Sequence, residues 1–557
     1  MSYDLVIRNG LVVDGTGNSA FQADVAVEND SITALGKNVG PGKKEIDAKG
    51  HVVAPGFIDA HTHMDAFVVQ YPHGNPVVNH GVTSIIIGDC GASCAPVPPK
   101  TEPRQVLVNY LRRVLDKYVD DKDWKWQTFG DYLNYIEGKV SINVAPLMPH
   151  SPVRLTVMGE AAYAREANPE ELEAMKKMVR EGMELGAVGF STSPRGGPAI
   201  HAGTPSTYAS HDEIVQLANV AAEYRGCFQF NGFQMMLQPD TGVPSMLQKI
   251  PATQIGNEFR IRPGQKESGP KAIEFMEKAQ KHGQNLYGVV IPYQHIRRFT
   301  IDDCFFLNGL PTWEAIKHAD DLRVQLQNRE IRKKLERERV AGAGKPEFPE
   351  WHGWDRVVFE RMEKPSLKEI ELKSAQELAL RSDRAPVDAF FDTWLEDDLR
   401  SRCIYYGLAN AHLDLLAQMI KSDTSLIGTD VGAHLDRFFW HGAPTKILGY
   451  WRREKKLFSL EKAVWKLTGF PAQKLGLNRG LIKEGWPADI TVFDADKIDD
   501  LVSKRLPEII DAAEVKRHPP GIKAVVVNGT AVVEDGHCHD VFPGKVRRQQ
   551  LCKTNLH

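Results

Sequence analysis

Two histidines one residue apart close the run Phe57-Ile58-Asp59-Ala60-His61-Thr62-His63, directly behind the apolar stretch His51-Val52-Val53-Ala54-Pro55-Gly56. On an extended strand, side chains two apart face the same way. Paired neutral imidazoles at a strand end can grip one divalent cation. Polar residues that end a strand by chance look the same in isolation; the Gly turn before the pair and Asp65 after it favour a metal.

Other chemistry-bearing residues also end apolar runs. Asp89-Cys90-Gly91 follows Thr83-Ser84-Ile85-Ile86-Ile87-Gly88, and Asp430 follows Leu426-Ile427-Gly428-Thr429. Asp430 is the leading carboxylate. An acid there can serve as a metal ligand, take a proton from an attacking water and return it to a leaving amine, or it can cap a helix. Cys90 offers a soft donor that suits zinc, and a buried structural thiol is an equal reading. Gln229 in Gln229-Phe230-Asn231 and Tyr293 in Pro292-Tyr293-Gln294-His295 stand at further strand ends as candidate substrate contacts. Arg195, in the loop Ser193-Pro194-Arg195-Gly196-Gly197, could clamp a substrate carboxylate. His434 could orient the substrate or simply be a hydrogen-bonded histidine. Cys94, four residues past Cys90, lacks CxxC spacing and reads as a bystander.

The elements that must position these residues alternate. Asn168-Pro169-Glu170-Glu171 combines an N-cap, a proline at the first helical position and a capping glutamate. Leu172, Met175 and Val179 then share one face, Gly186 stops the helix, and Ala187-Val188-Gly189-Phe190-Ser191 is the next strand. The unit repeats from Ser210-x-x-Glu213 to Cys227-Phe228-Gln229-Phe230, from Lys271 to Leu286-Tyr287-Gly288-Val289-Val290-Ile291, and from Ala411 to Ser425. Such alternation predicts a parallel sheet of the (β/α)8 kind, and chemistry in that fold gathers at the C-terminal strand ends. Both termini instead show short strands of period two, with Asn9-Gly10 reading as a hairpin turn. We therefore expect a small composite β-sandwich from residues 1–54 and 476–557 around a barrel from 55 to 475. A charged helical insertion covers about 322–384, either as a solvated face or as a cover for the barrel mouth.

Composition removes several alternatives. At 557 residues with 42% hydrophobic and 25% charged residues, the chain is that of an ordinary globular protein. A net charge of −3 gives no sign of nucleic acid or an anionic membrane surface. No apolar run approaches the ~18 residues needed to span a bilayer, and the start Met1-Ser2-Tyr3-Asp4 has no basic n-region. Seven scattered cysteines argue against a disulfide framework and for a reducing cytoplasm. A homo-oligomer is compatible with all of this.

Taken together, the motifs resemble the amidohydrolase superfamily and, within it, the N-acyl-D-amino-acid deacylases. The resemblance spans nearly the whole chain. It is carried by Asp4-Leu5-Val6-Ile7-Arg8-Asn9-Gly10, Pro55-Gly56-Phe57-Ile58-Asp59-Ala60-His61-Thr62-His63, His80-Gly81-Val82-Thr83-Ser84, Gly189-Phe190-Ser191-Thr192-Ser193, Ile427-Gly428-Thr429-Asp430 and Gly485-Trp486-Pro487-Ala488-Asp489-Ile490. Gly88-Asp89-Cys90-Gly91 is similar to the family's Gly-Asn-Cys-Gly, whose cysteine is a zinc ligand. The resemblance implies a metal-dependent barrel that hydrolyses N-acyl amides, with Asp430 as the acid/base.

One departure stands out. The family carries histidines on its fifth and sixth strands that hold a tightly bound zinc with the cysteine. This chain has Phe228-Gln229-Phe230-Asn231 at the fifth and Arg260-Ile261-Arg262-Pro263-Gly264 near the presumed sixth. The expectation is therefore one divalent ion, most simply Zn²⁺, on His61, His63 and Asp430, with Cys90 as a further donor. Its substrate would be a small N-acyl amide, an N-acyl amino acid or a relative of one. The alternatives are a cyclic-amide hydrolase of the hydantoinase or dihydroorotase type, and a non-catalytic relative whose barrel has lost its metal.

Overall fold

The alternating runs in the middle of the chain become eight parallel strands in the computed structural model. The structure describes residues 2–115, 124–195, 203–257, 259–261, 265–304, 306–307, 310–342, 353–407, 409–432, 440–500 and 518–546. The strands are β1 (Phe57–Asp59), β2 (Val82–Ile87), β3 (Asn143–Pro149), β4 (Gly189–Thr192), β5 (Cys227–Phe230), β6 (Gln254–Gly256), β7 (Leu286–Val290) and β8 (Ser425–Ile427). Each pairs with its neighbour in chain order. The ring closes between β1 and β8, where Ala60 N–H donates to the Ile427 carbonyl (3.3 Å) and Asp430 N–H to that of His61 (2.9 Å). Just beyond, Thr62–His63 and Val431–Gly432 form a short parallel pair. This is the (β/α)8 barrel that the alternation predicts.

The interior is filled by Ile58, Ala60, Ile86, Leu147, Val188, Ile255, Val289 and Leu426. Helices cover the outside for the reasons the sequence displays. The helix Pro169–Glu184 opens on the Asn168/Glu171 capping box and buries Met175, Val179 and Met183. Each of those side chains contributes roughly 1.5–3 kcal/mol by leaving water. Ser210 caps His211–Glu223 by accepting from Glu213 N–H (3.1 Å).

The two termini meet in one nine-stranded sheet, joined where Val52–Pro55 runs antiparallel to Ile490–Phe493. Asn9-Gly10 is not a hairpin turn. Tyr3–Val12 is one continuous strand with a register break between Ile7 and Gly10, and Asn9 sits at φ 58. Asn9 N–H donates to Asp24 Oδ1 (2.8 Å) and its side-chain amide to Asp47 Oδ1 (3.1 Å), so the left-handed residue forms a bulge rather than a reversal.

The insertion between β7 and β8 is larger than the charged run at 322–384. Its three-stranded antiparallel sheet joins Ile296–Phe299, Arg402–Tyr406 and Val357–Arg361. A separate apolar cluster around Phe299, Trp313, Leu335, Phe390, Trp394 and Tyr405 holds it together. The helix Arg329–Gly342 therefore has a buried face, at Arg332, Leu335 and Arg339, as well as a solvated one. Two strands carry no clear signal in the sequence: the sixth is Gln254–Gly256, not the segment near Arg260, and β3 (Asn143–Pro149) is interrupted by prolines.

Candidate metal centre

The two histidines do not sit on β1 itself. Ile58 and Ala60 both face the barrel interior, so the strand alternation resets after Ala60. Asp59 fixes that reset. It accepts from His61 N–H (3.3 Å), from Thr429 N–H (3.0 Å) and from the Thr429 hydroxyl, tying the end of β1 to the end of β8. Burial pushes the Asp59 carboxyl up to about 6, against the pull of the Thr429 and His61 donors. Gly428 permits the close approach: a Cβ there would lie 2.9 Å from His61 Cβ. Asp430 follows with φ 53, which presents its carboxylate to both imidazoles. Its Oδ1 lies 3.2 Å from His61 Nε2 and 3.3 Å from His63 Nε2.

Cys90 reaches the same point from the end of β2. It takes a left-handed conformation (φ 57) in the tight turn Asp89–Gly91. Ser191 and Ser193 of the Gly-Phe-Ser-Thr-Ser motif hold that turn, because Ser191 Oγ donates to the Gly88 carbonyl and Ser193 Oγ to that of Cys90 (2.7 Å). Cys90 Sγ is 3.8 Å from His61 Nε2. One donor atom from each of His61, His63 and Cys90 falls within 4.8 Å of the others, and all three residues are buried. Two imidazoles and a thiol at that spacing fit a single tetrahedral ion with one position open or taken by Asp430.

The surroundings favour positive charge. Burial opposes a charged imidazole at His63, but hydrogen bonds to Asp430 and Cys90 outweigh it and hold its pKa at about 10. His61 is raised well above its ordinary value against the same burial, by Asp89, Cys90 and Asp430. Asp89 is a residue whose part the sequence did not reveal. Its Oδ2 accepts from Thr62 N–H (3.0 Å) while Oδ1 lies 3.4 Å from His61 Nδ1. Burial pushes this carboxyl up to about 7, with His61 and His63 pulling it down. A carboxylate behind the ring directs His61 Nε2 toward the centre, the arrangement that orients metal-binding histidines.

The other candidates separate. Gln229 is fully buried inside the barrel and its Nε2 donates to the Ala60 carbonyl (3.5 Å). Tyr293 is buried away from the cluster, beside Asp500 and below the Lys446 ammonium (5.3 Å). Burial and Asp500 raise its phenol well above the ordinary value. Arg195 is exposed, and its guanidinium turns to Glu166 (3.7 Å) and the Thr207 carbonyl (3.3 Å) rather than to the cluster. His434 lies outside the described residues. His295 is buried, its ring tilted 36° against that of Trp440 with the centroids 4.4 Å apart. Burial and Arg260 keep that ring well below its usual pKa, with Asp430 opposing.

Comparison with known proteins agrees with this architecture. The amidohydrolase family model matches residues 44–283 and 362–533. D-aminoacylase of Alcaligenes xylosoxydans xylosoxydans is 27% identical over 568 residues, covering 99% of this chain and 98% of its own. The N-acyl-D-glutamate deacylase of the same organism is 28% identical over 543 residues, 95% of this chain and 93% of its own. Among solved structures, a D-aminoacylase superposes with a TM-score of 0.69 at 23% identity, covering 98% of this chain and 100% of that one. An N-acyl-D-glutamate deacylase from Bordetella bronchiseptica, complexed with zinc and a phosphonate inhibitor, superposes with a TM-score of 0.68 at 22% identity, with coverage of 98% and 100%.

Proposed function

This chain belongs to the amidohydrolase family, and from that premise we propose that it hydrolyses the amide bond of N-acyl amino acids or closely related N-acyl amides with one divalent ion. The observation that carries the reading is the buried trio His61, His63 and Cys90 with its ligand atoms within 4.8 Å, faced by Asp430. His61 and His63 would hold the ion through Nε2 and Cys90 through Sγ. Once bound, such an ion, for which this donor set makes zinc the natural choice, supplies Lewis acidity and lowers the pKa of a water toward about 7.

The chain's own residues account for the rest. Asp430 is less enclosed than the histidines it faces, its side chain 16% exposed against 4% and 2%. At that less enclosed edge of the cluster it meets the Nε2 atoms of both rings. There its carboxylate takes the proton of the attacking water and returns it to the nitrogen of the departing amine. Asp89 keeps His61 turned inward, and Asp59 keeps the two strand ends in register. Relatives named D-aminoacylase, N-acyl-D-glutamate deacylase and N-acyl-D-aspartate deacylase support an N-acyl amino acid as the substrate class.

We place the enzyme in the cytoplasm. The described cysteines are all free thiols, which fits a reducing compartment. No described helix is long and apolar enough to cross a membrane. The test is a panel of N-acyl D- and L-amino acids offered to the purified protein with added Zn²⁺, beside a cyclic imide. Release of free amino acid from at least one N-acyl compound is expected. Turnover of the cyclic imide alone would move the assignment to ring-opening chemistry.

A further inference from the structure

The two segments that carry the ligands are braced to each other twice, each time by an aspartate of one segment reaching into the other. Asp89, in the Cys90 turn, accepts from Thr62 N–H between the two histidines (3.0 Å). Asp65, two residues past His63, reaches the opposite way. Its Oδ1 accepts from the hydroxyl of Ser93, just beyond that turn (2.6 Å). Both residues are buried. The Tyr132 hydroxyl pins the same stretch by donating to the Asp65 carbonyl (2.7 Å).

Burial alone does not call for an acid at this point, since the neighbouring Met64 is fully buried and apolar. A buried carboxylate is costly unless its charge is offset. Ser93 serves Oδ1, and Oδ2 has no hydrogen-bond partner among the described residues. Burial pushes the carboxyl up, with Ser93 and His63 pulling it down. Positive charge on the His63 side, on the ring or on an ion the ring holds, is therefore what offsets the acid.

From Asp65 the path runs through Ser93 and back along the chain to Cys90, whose Sγ lies 3.8 Å from His61 Nε2. Loosening Ser93 moves that thiol relative to the rings. We propose that Asp65 is a positioning residue of the metal centre: through Ser93 it sets Cys90 against the histidine pair, and its charge favours a cation beside His63. This inference rests on the metal-site reading above.

The test titrates metal-free wild type, Asp65→Asn, Asp65→Ala and Ser93→Ala with Co²⁺ and follows the thiolate charge-transfer band, with metal-free thermal midpoints measured alongside. Asparagine keeps an oxygen for Ser93 and loses the charge. Asp65→Asn therefore shows the wild-type band at saturation and binds Co²⁺ about tenfold more weakly. Asp65→Ala loses both features, so affinity falls about 10–100-fold and the band shifts or weakens. Ser93→Ala removes only the brace, and its band changes in the same sense as that of Asp65→Ala. Wild-type bands and affinities in all three variants, even with lowered thermal midpoints, would make Asp65 a packing residue and overturn the proposal. So would an affinity in Asp65→Asn within about twofold of wild type, or an unchanged band in Ser93→Ala. Should Asp65→Ala fail to fold, the other two variants decide. If wild type itself takes up no Co²⁺, the metal reading falls and this role with it.

Discussion

Replacing Asp89 with asparagine isolates the orientation of His61 from every other feature of the centre. The aspartate has two oxygens with two separate duties: Oδ2 accepts from Thr62 N–H at 3.0 Å and Oδ1 stands 3.4 Å from His61 Nδ1. Asparagine has one oxygen. If that oxygen keeps Thr62, the amide nitrogen faces His61 Nδ1 and favours the tautomer protonated on Nε2, which cannot bind a metal. If the amide flips, its NH2 meets the Thr62 N–H in a buried site, donor against donor. The first outcome removes the charge contact between Asp89 and His61 at 3.4 Å, and the second the bond from Thr62 N–H to a carboxylate, about 1.5–3 kcal/mol. In metal sites the loss of such a partner lowers affinity about 10–100-fold. Chelator competition with Zn²⁺ or Co²⁺ on wild type and Asp89→Asn measures this directly. Affinities within twofold of each other would refute the role given to Asp89.

Three further outcomes follow from the same geometry. Cobalt-loaded wild type shows a near-ultraviolet thiolate charge-transfer band that Cys90→Ser lacks, and its affinity falls further than in Asp89→Asn; a band that survives would exclude Cys90 as a ligand. Asp430→Asn keeps its fold and lowers turnover about 10²–10⁴-fold; steady-state kinetics with near wild-type rates would remove it as the proton carrier. Glu213 is held down at about 2: burial raises its pKa, but His150 and Arg154 outweigh that cost. Its ion pairing therefore adds stability above pH 4.5 that is lost as the pH falls toward 2. Glu213→Gln should cost about 3 kcal/mol at pH 7 and only about 1 kcal/mol at pH 3. Urea unfolding at the two pH values reads the difference, and a deficit independent of pH would contradict the sign.

How much of this was visible in the sequence depended on how local the signal was. The barrel was legible because its helices carry their own caps, as at Asn168 and Ser210. His61, His63, Cys90 and Asp430 could be picked out because each ends an apolar run. What the sequence concealed was non-local. Gln254–Gly256 has three residues and no β-branched pattern beyond Ile255, and Pro146 and Pro149 disguise β3. The partners of Asp59 and Asp89, at Thr429, Thr62 and His61, come together only when the barrel closes. Arg195 reads as an anion clamp in a loop, yet its contacts are decided by the distant Glu166. The antiparallel sheet of the insertion stayed hidden because helices separate its three strands and arginines interrupt them. Asn9-Gly10 shows the reverse error: a strong local turn signal is absorbed as a bulge when Asp24 and Asp47 supply partners for it.

The most direct test of the central claim is a titration of metal-stripped protein with Zn²⁺, following release of free amino acid from an N-acyl amino acid. The account predicts that turnover rises with added ion, levels off at one equivalent per chain and never appears in His61→Ala. Turnover that survives stripping, or that continues undiminished in His61→Ala, would contradict it.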